Sequence, residues 1–254
     1  MLLGIDHLVI AVRDPDVAAS TIERDLGIAF TGGGRHDAWG TFNRLAFLGD
    51  TYLELIGVFD RALVASRAGS AVGRATLAIL DADREGVATF ALATDDIDGD
   101  VGRLRNEGSS ISAPVDGSRT RPDGDVVRWR TAAAGRLGPC EPPFLIEHED
   151  AGPEWGAEAR AERAAFRHPI GGRVRLTRLT LPCADPAAAA NAHRATVGLA
   201  FESPDDGGAE VLMGSQVVRL SGDGDAQPSV DLVGDGWREP LDVVGHGMRW
   251  RCAP

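Results

Sequence analysis

The chain of 254 residues is 43% apolar, enough to bury one large core or two small ones, and it carries a formal net charge of −12. That charge repels phosphate backbones and anionic lipid, which sets nucleic-acid and membrane-surface roles aside and leaves a small molecule or a second copy as the expected partner. All 26 basic residues are arginine, which excludes Schiff-base chemistry and a lysine general base.

The first predicted unit, residues 1–58, opens with "IDHLVIAVRDPD". Ile5, His7, Val9 and Ala11 alternate with Leu8, Ile10 and Val12, a strand buried on both faces. Asp14 is placed to cap a helix, Pro15 suits its first turn, Val17, Ile22 and Leu26 form its apolar stripe, and Gly27 ends it. Strands are expected near 29–31, in "TFNRLAFLGD" and in "TYLELIGV". Residues 59–83 read as an Ala-rich helical connector. The pattern recurs over 84–150: a strand in "VATFALAT", a cap at Asp95 or Asp96, a stop at Gly108, then "SSISAPV", "DVVRWRTAA" and "PFLIEHE". After a linker over 151–170 it returns over 171–254, with Asp185, Pro186 and Gly198 as punctuation, strands in "LAFE", "EVLMG" and "QVVRLSG", and two extra strands in "PSVDLVG" and "LDVVGHGMRWRC". The predicted fold is α+β, three tandem βαβββ modules with curved mixed sheets. Cys140, Cys183 and Cys252 lack metal-type spacing and are odd in number, so reduced thiols are expected. No apolar run reaches the roughly 20 residues of a membrane helix, the chain begins directly in strand pattern, and a cytoplasmic location is expected.

Tandem βαβββ units with a histidine in the first strand and "YLELI" closing the fourth resemble the vicinal oxygen chelate superfamily. "GGGRHDAWGTFNRLAFLGDTYLELI" and "SRTRPDGDVVRWR" followed by "PPFLIEHE" resemble its glyoxalase-like domain proteins over residues 1 to about 150. The resemblance implies that the first two units enclose one cavity, with metal ligands on their first and fourth strands. Carried onto this chain, it names His7, Glu54 and Glu147 as ligands of a divalent ion (Zn, Mn, Fe, Co or Ni), with Thr89 where a second histidine is expected. In the third unit the positions of His7 and Glu54 fall on Arg178 and Arg219, which either hold an anion or form surface ion pairs.

The residues leave alternatives open. His7 is a ligand or a core histidine with a hydrogen-bond partner, although a carboxylate at Glu54 in an apolar strand also needs a partner. Glu147 and His148 are neighbours, so one of them reaches the cavity; the match to Glu54 selects Glu147, unless "EHED" is a solvated strand end. His36, in a glycine-flanked loop, is a candidate acid or base or an idle surface group. Asn43 is a substrate hydrogen-bonder or sheet paving. Arg119 and Arg121 clamp a carboxylate or phosphate beside Trp129, or decorate a hairpin shoulder. His168, His193 and His246 are structural or surface residues. No phosphate-binding loop or hydrolase nucleophile is present in the sequence. Two functions remain: a metal-dependent lyase or isomerase in which Glu54, Glu147 or His36 shuttles a proton on a small carbonyl or hydroxy-acid substrate, or a metal-free small-molecule binder of the antibiotic-sequestering type. The third unit is also suited to pairing with its twin in a homodimer.

Overall fold

The strand period of the opening segment is realised as β1 (Leu2–Ala11), with every residue from Gly4 onward buried in the computed structural model, which describes residues 2–150, 152, 154–204, 206–224 and 226–254. Helix α1 (Pro15–Leu26) follows, capped by the Asp14 carboxylate accepting from the Asp16 and Val17 amides and closed at Gly27. Its buried stripe is Pro15, Ala18, Ala19, Ile22 and Leu26. Val17, expected in that stripe, is 61% exposed. Strands β2 (Gly32–His36), β3 (Thr41–Leu48) and β4 (Thr51–Val58) complete the first unit, and the connector contains two helices, α2 (Arg61–Ala65) and α3 (Ala71–Asp81). The second unit is β5 (Gly86–Thr94), α4 (Ile97–Asn106), β6 (Val115–Thr120), β7 (Val126–Ala132) and β8 (Phe144–His148), with Asp96 as the helix cap.

These eight strands close into a barrel in the order β1-β4-β3-β2-β6-β7-β8-β5. Only Arg35 and Thr120 pair across the β2–β6 seam. The expected strand near 29–31 lies instead at 32–36, over a glycine triplet that turn-based reading assigns to a loop. A Cβ on Gly33 would stand 2.4 Å from the Asn43 carbonyl oxygen, and one on Gly34 2.1 Å from that of Thr120. Glycine here admits the close backbone approach that closes the barrel, and His36 is thereby carried on a strand rather than a loop. Helix α3 packs on β1, β4 and β5, and its Ala75 joins Val9, Ala11, Ile56 and Ala88 in one apolar cluster.

The linker contains α5 (Ala157–Ala165). The rest of the chain is β9 (Val174–Pro182), α6 (Pro186–Val197), β10 (Ala209–Met213), β11 (Gln216–Ser221), β12 (Ser229–Gly234), β13 (Leu241–Gly245) and β14 (Met248–Ala253). "LAFE" contributes only a bridge between Glu202 and Glu210. The second sheet runs β10-β11-β9-β12-β14-β13. Its pairings repeat those of the barrel: β9 with β11 is parallel, as β1 with β4; β9 with β12 is antiparallel, as β1 with β5; β12 with β14 is parallel, as β5 with β8. The C-terminal strands β12, β13 and β14 therefore repeat the unit without its helix and with one strand fewer, and "LDVVGHGMRWRC" is a hairpin of two strands. Its turn residues His246 and Gly247 have φ 54° and 67°, the left-handed pair that a two-residue hairpin requires.

The largest apolar cluster runs through both halves, joining Leu8, Leu53 and Phe90 of the barrel to Leu179, Leu232 and Trp250 of the second sheet. No helix among the described residues is long and apolar enough to cross a membrane. The reduced-thiol expectation fails for two cysteines, because Cys140 and Cys183 form a disulfide across 43 residues of sequence, leaving only Cys252, buried, as a free thiol. Spacing in sequence carried no sign of this bridge, which the docking of the two halves brings together. Thiol titration of the chain unfolded without reductant is expected to count one group, and three after reduction. Replacing Cys140 by serine should destabilise the protein by about 2–4 kcal/mol through the freed loop.

Candidate active site

Strand register decides which side chains share the barrel interior. Across β1 and β4, His7 stands opposite Tyr52, with Glu54 two residues farther on the same face. Across β1 and β5, His7 stands opposite Ala91, which in turn pairs with Phe144 of β8. The same ladders place Ala91 beside His7, and Phe144 and Ile146 along β8. Thr89, which occupies the place where the resemblance expects a second histidine, pairs with Val9.

A cavity of about 470 Å³ occupies the interior, lined by His7, His36, Asn43, Tyr52, Glu54, Trp129, His148 and Glu154 among others. This is a volume suited to a small organic molecule. His7 Nε2 lies 3.5 Å from Glu54 Oε2. The other Glu54 oxygen accepts a 2.6 Å hydrogen bond from the Asn43 amide, whose own oxygen accepts from the Gly34 N–H. Tyr52 stacks on the His7 ring at 4.4 Å, and Phe144 meets it edge-on.

Behind His7 lies Asp6, a residue that strict alternation assigns to the opposite face. A β-bulge between Ile5 and His7 breaks the alternation. The extra residue re-aims the chain locally, and the Asp6 carboxylate reaches the same histidine. His7 Nδ1 lies 2.6 Å from Asp6 Oδ1, and His148 Nε2 lies 3.1 Å from both Asp6 oxygens. Burial alone would raise the Asp6 carboxyl, but His148 and His7 together hold it well below the usual range. His148 is stacked on Trp155 at 3.8 Å, and its Nδ1 has no hydrogen-bond partner among the described residues.

Glu147 is not brought to this group. It pairs with Arg130, and His148 with Trp129, so the inward face of β7 and β8 carries Trp129 and His148 while Glu147 turns outward. There it lies 3.4 Å from the Ile97 amide at the start of α4 and 3.6 Å from Arg130. Nor do Arg119 and Arg121 form a clamp. Strand β6 ends at Thr120, so Arg121 falls in the turn and pairs with Asp123, whereas Arg119 is buried against Glu154 at 2.6 Å and the Gly33 carbonyl. His36 is a wall residue, 5% exposed and bonded to the Thr41 hydroxyl. Burial, aided by Arg119, lowers its pKa to about 3, so it is a neutral hydrogen-bonding group in the wall.

A divalent ion, which the family resemblance implies, needs about three protein donors. The cavity offers His7 and Glu54. Both Asp6 oxygens and one His148 nitrogen are engaged with each other, and the second-unit residues beside His7 and along β8, Ala91, Phe144 and Ile146, carry no donor. Among the described residues no group of three or more His, Cys, Asp or Glu side chains is placed to hold a metal. The residues present do not fit the expected ion.

In the third unit the expected alignment holds: Arg178 stands opposite Val217 as His7 stands opposite Tyr52, and Arg219 is two residues on. Both pair with Glu210, at 2.6 and 2.7 Å, so the ion-pair alternative describes them.

A barrel of paired βαβββ units around one cavity, with its polar side chains on first and fourth strands, is the architecture of the vicinal oxygen chelate proteins. The glyoxalase-like domain family matches residues 5–197, and the chain belongs to it. A hypothetical protein from Staphylococcus aureus shares the whole fold, at 18% identity and TM-score 0.81 over 98% of this chain and 99% of that one. Methylmalonyl-CoA epimerases from Streptomyces coelicolor (23% identity, TM-score 0.42, 57% of this chain and 97% of that one) and Mycobacterium tuberculosis (22%, 0.42, 57% and 88%) are also similar to it. Comparison with curated proteins gives no match.

Of the residues chosen from sequence, His7, His36, Asn43, Glu54, Arg119 and Trp129 line the cavity; Glu147 and Arg121 do not. Asp6, Tyr52, His148 and Glu154 were missed. "DH" and "EH" each placed an acid beside a histidine, but which of the two faces inward depends on bulge and register, neither of which a single sequence displays.

Proposed function

We propose that the cavity is the active site of an isomerase-class enzyme that moves a proton on a small substrate through the His7–Glu54 pair. The observation that carries this is the line Asp6–His7–Glu54, in which His7 is hydrogen-bonded to Asp6 and its Nε2 lies 3.5 Å from Glu54, set in an aromatic-walled cavity. Asp6 accepts the proton of His7 Nδ1, fixing the tautomer in which Nε2 holds a lone pair beside Glu54. A substrate whose acidic C–H or hydroxyl faces Glu54 can lose its proton to that carboxylate; the carboxylic acid so formed passes the proton to the Nε2 lone pair 3.5 Å away, and His7 returns it to the substrate. Asn43 orients Glu54, and Tyr52 and Phe144 exclude water around the imidazole, which strengthens each polar contact there.

The test is exchange of substrate C–H for deuterium, followed by NMR in D2O over a panel of 2-oxo and 2-hydroxy acids. Exchange by the native protein, reduced at least 100-fold in Glu54→Gln and insensitive to chelator, is expected. Elemental analysis of untagged protein should find no stoichiometric divalent metal. Stoichiometric metal that disappears in His7→Ala would replace this reading with the metal-dependent one. A second reading, a metal-free binding protein, is favoured by the Trp39–Trp129 wall, whose rings meet at 6.0 Å. It predicts ligand-induced thermal stabilisation with no exchange on any member of the panel.

A further inference from the structure

We infer that arginines at the mouth of the cavity read an anionic group, a phosphate or a carboxylate, on the ligand whose uncharged part enters the barrel. The inference rests on taking the cavity as the ligand site and adds the class of molecule it accepts. Arg67, in the segment between α2 and α3, and Arg74, on α3, border the cavity together with Gly69, Ser70 and Ala71. Arg74 also borders an adjoining groove that holds Arg84 and Arg136.

Most arginines in this acidic chain are occupied by carboxylates: Arg13 with Asp83, Arg35 with Asp37, Arg61 with Asp81, Arg130 with Asp98 and Arg249 with Asp242. Among the described residues, Arg67, Arg74 and Arg84 make no ion pair. The side chain of Arg74 bonds only the Gly69 carbonyl, which leaves most of its N–H donors free. The first turn of α3 carries no acidic residue to compete with an incoming anion. Deeper in the cavity, Glu154 is already neutralised by Arg119. Against a net charge of −12, this rim is where an anion meets unpaired guanidinium groups beside an apolar opening. The anion-reading role assigned from sequence to Arg119 and Arg121 therefore passes to Arg67 and Arg74, because the former pair is engaged within the fold.

The probes are phenyl phosphate, phenylacetate and the neutral benzyl alcohol, titrated by calorimetry into native protein and into the Arg67→Ala/Arg74→Ala double variant. Both positions are exposed, and thermal melting checks that the variant is folded; Arg24→Ala is the control for a lost surface charge. At low salt, one anionic probe should bind at least 10-fold tighter than benzyl alcohol, and the preferred one names the anion. That advantage should vanish in the double variant, survive in Arg24→Ala and shrink between 50 and 500 mM salt, with benzyl alcohol unaffected. Equal affinities, an advantage that persists in the double variant, or no binding of any probe would overturn the inference. Loss of the proton-transfer reading registers separately, as absent deuterium exchange with these affinities intact.

Discussion

Lowering the pH from 6 to 5 is expected to cost the native state about 2.5 kcal/mol, read as a fall in the free energy of urea unfolding. Burial holds His36 at about 3 and His193 at about 4, both down from 6.5. Each folded imidazole stays neutral while the unfolded one takes a proton, so the unfolded state binds more protons and stability falls as pH falls. The loss begins near 6.5, runs at about 1.4 kcal/mol per pH unit for each group, and ends where the folded group itself protonates. His168, lowered by burial as well, adds in the same direction. His193→Gln should remove close to half the slope. Equal unfolding free energies at the two pH values would refute the assignment of these histidines as buried and neutral.

The second large effect is expected at Asp6. Asp6→Ala strips two buried imidazoles of their shared acceptor and should destabilise the fold by about 3–5 kcal/mol, the range for breaking a buried charged pair from one side. Asp6→Asn keeps the volume and one acceptor, so it should fold with a smaller penalty. Deuterium exchange should nevertheless fall, because the amide no longer fixes the tautomer of His7. Long-range proton–nitrogen NMR gives the direct reading: His7 protonated at Nδ1 in native protein and of mixed tautomer in Asp6→Asn. An unaltered tautomer with unaltered exchange would leave Asp6 as a packing residue.

The reach of sequence reading follows from what each feature depends on. Helix caps and strand periods are local, so Asp14, Asp96, Asp185 and the shared face of His7 and Glu54 were legible. The strand over Gly32–His36 was not, since its glycines answer to a barrel seam formed with Thr120, far along the chain. Glu147 was chosen over His148 by sliding one segment on another. A slip of one residue in such a comparison exchanges the two faces of a strand, and the register settled the matter through Trp129 and Arg130. Asp6 depended on a bulge. The Cys140–Cys183 bridge depended on the docking of two halves whose common core no local pattern reveals.

The irregularity that turns Asp6 inward has a twin. Between β9 and β12 the ladder slips at the corresponding place, where Thr177 is the additional residue and Arg178 follows it as His7 follows Asp6. The distortion thus belongs to the architecture itself, and only one half has fitted an acid and an imidazole into it. A Thr177→Asp/Arg178→His variant would lay the same dyad on the open sheet, in contact with solvent. Comparing the two dyads inside a single molecule would separate what enclosure contributes to proton transfer from what the backbone contributes.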